Sequence, residues 1–95
     1  VKPDLKSRQA DSLFEAILTL ETVDECYAFF TDVCTVNEIK ALSQRYYVAK
    51  LLMDNITYSE IVERTGASTA TISRVKRSLE YGEGGYEITA RRLNK

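Results

Sequence analysis

Thr57-Tyr58-Ser59-Glu60-Ile61-Val62-Glu63-Arg64-Thr65-Gly66-Ala67-Ser68-Thr69-Ala70-Thr71-Ile72-Ser73-Arg74-Val75-Lys76-Arg77-Ser78-Leu79 is the stretch that decides the fold. At its centre is the corner Thr65-Gly66-Ala67-Ser68. A glycine there supplies the left-handed backbone that turns a chain sharply, and the serine can cap the helix that follows. Two short helices packed across such a corner need apolar side chains at set offsets. Ile61, five residues before the glycine, Ile72, six after, and Val75, nine after, meet that need, and Leu79 extends the stripe. The spacing predicts helices over 58–65 and 69–80, joined as a helix-turn-helix.

With Ile72, Val75 and Leu79 turned inward at about 100° per residue, Ala70, Ser73, Arg74 and Arg77 face outward, with Thr69 and Thr71 on the flanks. Small side chains at the amino end let the helix approach base edges closely, and hydroxyls can donate or accept there. Ser68, Thr69, Ala70, Thr71 and Ser73 therefore suit the DNA major groove, while Arg74 and Arg77 suit phosphates. Serine and threonine read any base ambiguously, so bridging water and DNA shape are expected to carry much of the specificity. The plainer alternative is a helix hairpin whose glycine corner serves the core alone.

Outward from this stretch, helix starts are legible as capping boxes. Thr22-Val23-Asp24-Glu25, Thr35-Val36-Asn37-Glu38 and Thr57-Tyr58-Ser59-Glu60 each set a hydroxyl three residues before a glutamate, so each side chain can satisfy an unpaired backbone N–H. The boxes divide the chain into helical segments near 7–20, 23–33, 36–54, 58–65 and 69–80. Alternating strand patterns are absent, and the fold class is all-α. Glu80-Tyr81-Gly82-Glu83-Gly84-Gly85-Tyr86 then breaks the helix, leaving room for a last short helix over 87–93.

The first helix carries a stripe of Leu13, Phe14, Ile17, Leu18 and Leu20, whereas Cys26, Tyr27, Phe29, Phe30 and Val33 nearly encircle the second. On the third, Ile39, Leu42, Tyr46, Ala49 and Met53 share a face that Val48, Leu51 and Leu52 widen. A chain of 95 residues buries too little surface to cover all of this alone. The expected organisation is a single domain: a dimerisation core over 1–54, an intertwined helical dimer, then a helix-turn-helix over 57–80 and a glycine-containing turn and tail over 81–95. A wide-faced monomeric bundle is the alternative.

The net charge of −1 does not favour nucleic acid, but binding to phosphate depends on where the cations lie. Acids gather early, at Glu21, Asp24, Glu25, Asp32 and Glu38. Arg74, Lys76 and Arg77 fall on one late helix, and Arg91, Arg92 and Lys95 end the chain. Cys26 and Cys34, without histidine or a second pair, fit neither a zinc site nor a disulfide framework and are expected to pack as small apolar side chains. No metal and no cofactor are implied. The apolar runs are too short for a membrane span, and Val1-Lys2-Pro3-Asp4-Leu5-Lys6-Ser7-Arg8 lacks the core of a secretion signal, so a cytoplasmic location is expected. With no activated nucleophile, phosphate cradle or metal-spaced carboxylates, an enzyme is not indicated. The weak overall charge leaves one competing class, a helical protein-interaction module that does not touch DNA.

Gly66-Ala67-Ser68-Thr69-Ala70-Thr71-Ile72-Ser73-Arg74, preceded by Asn37-Glu38-Ile39-Lys40-Ala41-Leu42, resembles the turn, recognition helix and central helix of the Trp repressor superfamily, and the whole chain resembles its YerC/YecD family. That resemblance implies an intertwined homodimer whose heads dock in successive major grooves of double-stranded DNA, regulating transcription as a repressor. It also places Thr35, Arg45, Arg74 and Ser78 at positions that frame the family's tryptophan pocket. One departure matters. The residue after the recognition-helix arginine is glycine in Trp repressor, where it makes room for the indole ring, and here it is Val75, so tryptophan is not expected as corepressor.

Overall fold

A computed structural model of the chain describes residues 4–94; the expectations placed on Val1, Lys2, Pro3 and Lys95 lie outside the described residues. Among the described residues there are six helices and no strand: α1 Arg8–Ile17, α2 Val23–Val33, α3 Val36–Met53, α4 Tyr58–Thr65, α5 Thr69–Tyr81 and α6 Gly85–Leu93. The chain separates into two compact units, one ending at Ile39 and the other beginning at Lys40, so the boundary falls inside α3. None of the described helices is long and apolar enough to cross a membrane.

In the first unit the helix ends are made by side chains. Ser7 caps α1, accepting from the Ala10 N–H at 3.0 Å, and Lys6 pairs with Asp11 at 2.8 Å. α1 stops at Ile17, three residues short of the sequence expectation, because the Thr19 hydroxyl donates to the Ala16 carbonyl at 2.7 Å and the chain closes in a tighter i→i+3 turn. Thr22 accepts from the Glu25 N–H at 3.1 Å, while the Glu25 carboxylate takes the N–H of Glu21, one residue earlier than a capping box requires. The box at Thr35 is reciprocal: its hydroxyl accepts from the Glu38 N–H at 3.1 Å and its own N–H donates to the Glu38 carboxylate at 2.7 Å.

Neither α1 nor α2 contains a buried residue. Leu18 is 83% exposed, Val23 71%, Tyr27 65% and Phe14 58%, values that no helix keeping its own apolar face covered would show. Cys26 is exposed and Cys34 half-buried, both as free thiols, so neither packs inside the chain's own core. Among the described residues nothing covers the face of α2 on which Cys26 lies.

The second unit contains the core. Val48, Ala49 and Leu51 of α3, Ile61 of α4, Ala67 of the corner, and Ile72 and Val75 of α5 form one buried cluster, with Leu52, Met53, Ile56, Tyr58, Leu79 and Tyr86 packed against it. On α3 the inward side centres on Val48 and Leu51, while Leu42 remains 49% exposed; the line Leu42–Tyr46 read from spacing is not the buried centre. α3 ends at an Asn55 held in the left-handed region (φ 60°). The Asn55 N–H donates to Leu52 O and the Ile56 N–H to Leu51 O, both at 3.0 Å, and Ile56 packs back on the core beside Leu51. α6 starts at Gly85, two residues before the expected point, and its Tyr86 ring lies 6.3 Å from that of Tyr46.

Candidate nucleic-acid interface

The corner between α4 and α5 is built by three adjacent residues. Gly66 adopts φ 72°, and its N–H closes α4 on the Val62 carbonyl at 2.8 Å. The Thr65 hydroxyl donates to Ile61 O at 2.7 Å and accepts from the Ala67 N–H at 3.1 Å, bridging the helix end to the turn. Ala67, 2% exposed, points its methyl into the core. From α3, the Gln44 amide donates to the Thr65 carbonyl at 3.2 Å, satisfying one of the orphan acceptors at the end of α4. Thr57 caps the other end of α4 at 3.3 Å, and the Glu60 carboxylate pairs with Arg64 at 3.4 Å.

Ser68 caps α5 through the Thr71 N–H at 3.1 Å and also donates its own proton to the Thr71 hydroxyl oxygen at 3.1 Å. Thr71 therefore keeps its hydroxyl proton free for an outside acceptor, and its side chain is held in one orientation. Ile72 and Val75 are 0% and 2% exposed, and their burial fixes which side of α5 is turned out. Ser68, Thr69, Ala70, Ser73, Arg74 and Arg77 are exposed and Thr71 is half-buried. No ion pair among the described residues engages Arg74 or Arg77, so both guanidiniums remain available to an anion.

Ala41, Gln44, Arg45, Thr71 and Arg74 line an open cleft of about 250 Å³ between α3 and α5. Of the four pocket positions implied by resemblance, Arg45 and Arg74 meet here. Thr35 and Ser78 are not among its lining residues: Thr35 is engaged in capping α3, and Ser78 is exposed one turn beyond Arg74, its carbonyl accepting from the Gly82 N–H at 2.9 Å. Arg45 donates back to the Ala41 carbonyl at 3.3 Å, which steadies its side chain along α3. Gln44 and Thr71 were not anticipated as lining residues. The Glu38 carboxyl is held below the usual carboxylate range, chiefly by the Thr35 backbone N–H and then by the Thr35 hydroxyl.

The chain matches the family described as Trp repressor protein over residues 8–94. It is 50% identical to the YerC protein of Bacillus subtilis (strain 168) over 91 residues, spanning 96% of this chain and 88% of that one. The crystal structure of a TrpR-like protein from Eubacterium eligens ATCC 27750 superimposes with a TM-score of 0.93 at 57% identity, covering 96% of this chain and 94% of the other. A Staphylococcus aureus protein gives 0.92 at 55% identity, over 96% and 91% of the two chains. On a matched length that runs from α1 to the end of α6, the chain belongs to the Trp repressor protein family of helix-turn-helix regulators.

Proposed function

We propose that the protein is a sequence-specific, double-stranded DNA-binding repressor of transcription that acts in the cytoplasm as a homodimer and uses residues 68–77 as its recognition helix. One observation carries this reading. The face of α5 opposite buried Ile72 and Val75 is a row of short, mostly hydroxyl-bearing side chains followed by two cations that no ion pair among the described residues engages. Ser68, Thr69, Ala70, Thr71 and Ser73 meet base edges, directly or through water, and Arg74 and Arg77 hold phosphates.

The second copy is supported by the uncovered faces of α1 and α2. Phe14, Leu18 and Val23 would each gain up to about 1.5–3 kcal/mol if buried against a partner chain, and the Tyr27 ring would add its own apolar area. A two-fold pair sets its heads about 34 Å apart, one turn of B-DNA, and reads a pseudo-palindromic site. Tryptophan is not its corepressor: Val75, at the position where Trp repressor has glycine, is a core side chain, and an indole ring cannot enter without displacing it. Arg45 and Arg74 still leave a cationic cleft, but DNA binding does not depend on tryptophan filling it.

The test is affinity for duplexes selected from a random pool, measured against salt. Neutralising roughly four to six phosphates gives a steep, linear fall of log affinity with log salt. A protein that binds no duplex refutes this reading, and one that binds a protein partner with a flat salt profile is an interaction module instead.

A further inference from the structure

Lys76 lies among the cations of α5, and charge alone would assign it to phosphate with Arg74 and Arg77. Its position on the helix says otherwise. At 100° per residue it sits about 70° from the centre of the Ile72–Val75–Leu79 stripe and about 110° from the middle of the outward face formed by Ala70, Ser73, Arg74 and Arg77. That flank borders α4, and the Lys76 ammonium stands 5.8 Å from the centroid of the Tyr58 ring. Tyr58 is the first residue of α4, half-buried against the core, so the ring is an anchored platform and not a swinging side chain. An ammonium beside the first turn of a helix is disfavoured by the helix dipole. The ring's π face is what holds it there.

We propose that Lys76 is a positioning residue of the DNA-binding head and not a phosphate contact. It clamps α5 to the start of α4 through the Tyr58 ring and so fixes the angle at which residues 68–77 are presented. This deepens the reading of α5 as a recognition helix and rests on it. The contact needs a cation on one side and an aromatic face on the other. Arginine can replace the lysine and phenylalanine the tyrosine, whereas Lys76→Met and Tyr58→Leu keep most of the bulk and lose the attraction.

Two measurements test the clamp, and they separate its failure from failure of the DNA reading. In free protein, a double-mutant cycle of Lys76→Met and Tyr58→Leu, read by urea unfolding, should show a coupling of about two- to five-fold in the folding equilibrium constant, retained in Lys76→Arg and Tyr58→Phe. On a selected duplex, Lys76→Met should weaken binding by about two- to five-fold with an unchanged salt slope, and Lys76→Arg should restore it. A cycle with no coupling overturns the clamp even if DNA is bound. A Lys76→Met salt slope reduced by about one overturns the positioning role, because that is the mark of a lost phosphate contact. Coupling present without any duplex binding leaves the clamp standing and refutes the regulator.

Discussion

Replacing Gly66 and Gly82 by alanine tests whether the corner and the end of α5 are held by different physics. At Gly66 the backbone has φ 72°, but a Cβ there would meet no heavy atom within 4 Å. The penalty is conformational alone, about 1–2 kcal/mol for a left-handed L-residue, offset by the about 0.4–1 kcal/mol that alanine gains by restricting the unfolded chain. The net cost is about 1 kcal/mol, with the head undistorted. Gly82 is the reverse case. Its φ of −88° suits any residue, yet a Cβ would fall 2.4 Å from the Ser78 carbonyl oxygen, the acceptor of its own N–H. Backbone must move, the closing hydrogen bond of α5 is lost or bent, and the cost is about 2–3 kcal/mol. Thermal unfolding followed by circular dichroism, at one fixed protein concentration so that any subunit association enters equally, should drop by about 4–8 °C for Gly66→Ala and clearly further for Gly82→Ala. Gly66→Ala should bind a selected duplex within about two-fold of the parent, since nothing at the corner clashes. The reasoning fails if Gly66→Ala is the more damaging of the two, because the backbone clash at Gly82 is placed above the φ penalty at Gly66.

Arg77→Ala should weaken binding to all duplexes alike and lower the salt slope by about one, whereas Thr71→Ala should re-rank sequences; the opposite pattern in competition binding would mean the outward face is misassigned. Gln44→Ala leaves the Thr65 carbonyl without its donor from α3 and should cost about 1 kcal/mol in urea unfolding, so an unchanged midpoint would show that water replaces the amide without loss. The Glu38 carboxyl is lowered in the folded chain, so its contribution to stability is present above the usual carboxylate range and is lost as pH falls through the lowered value. Melting curves of the parent and Glu38→Gln should therefore converge as the solution is acidified, and a gap that widens instead would contradict the assignment. Calorimetric titration with tryptophan should show no micromolar binding to the parent protein, and heat of that strength would show that Val75 yields to the ring.

Much of the fold was readable because its signals are local. Threonine–glutamate spacings mark helix starts at Thr22, Thr35 and Thr57, and the glycine at position 66 with Ile61, Ile72 and Val75 around it specifies a corner and its core. What escaped was set by contacts distant in sequence or by the absence of a neighbour. Gln44 meets the Thr65 carbonyl across 21 residues, and no spacing rule links an amide on one helix to the end of another. Lys76 looks like Arg77 in the sequence and differs only by which flank of α5 borders Tyr58. Ala67 reads as a turn residue, yet its methyl is part of the core. The Asn55 cap lacks the glycine that usually marks a left-handed helix end. Cys26 was read as a packed apolar residue because apolarity predicts burial, but burial also needs a covering surface that one chain does not supply.

The central claim is that the hydroxyl and arginine face of α5 is the surface that meets DNA. Backbone amide shifts of isotope-labelled protein, followed while a selected duplex is added, test it most directly. Perturbations should concentrate at residues 68–77 and the start of α4, leaving α6 unmoved. Changes centred on α1, α2 or α6, with α5 silent, would contradict it.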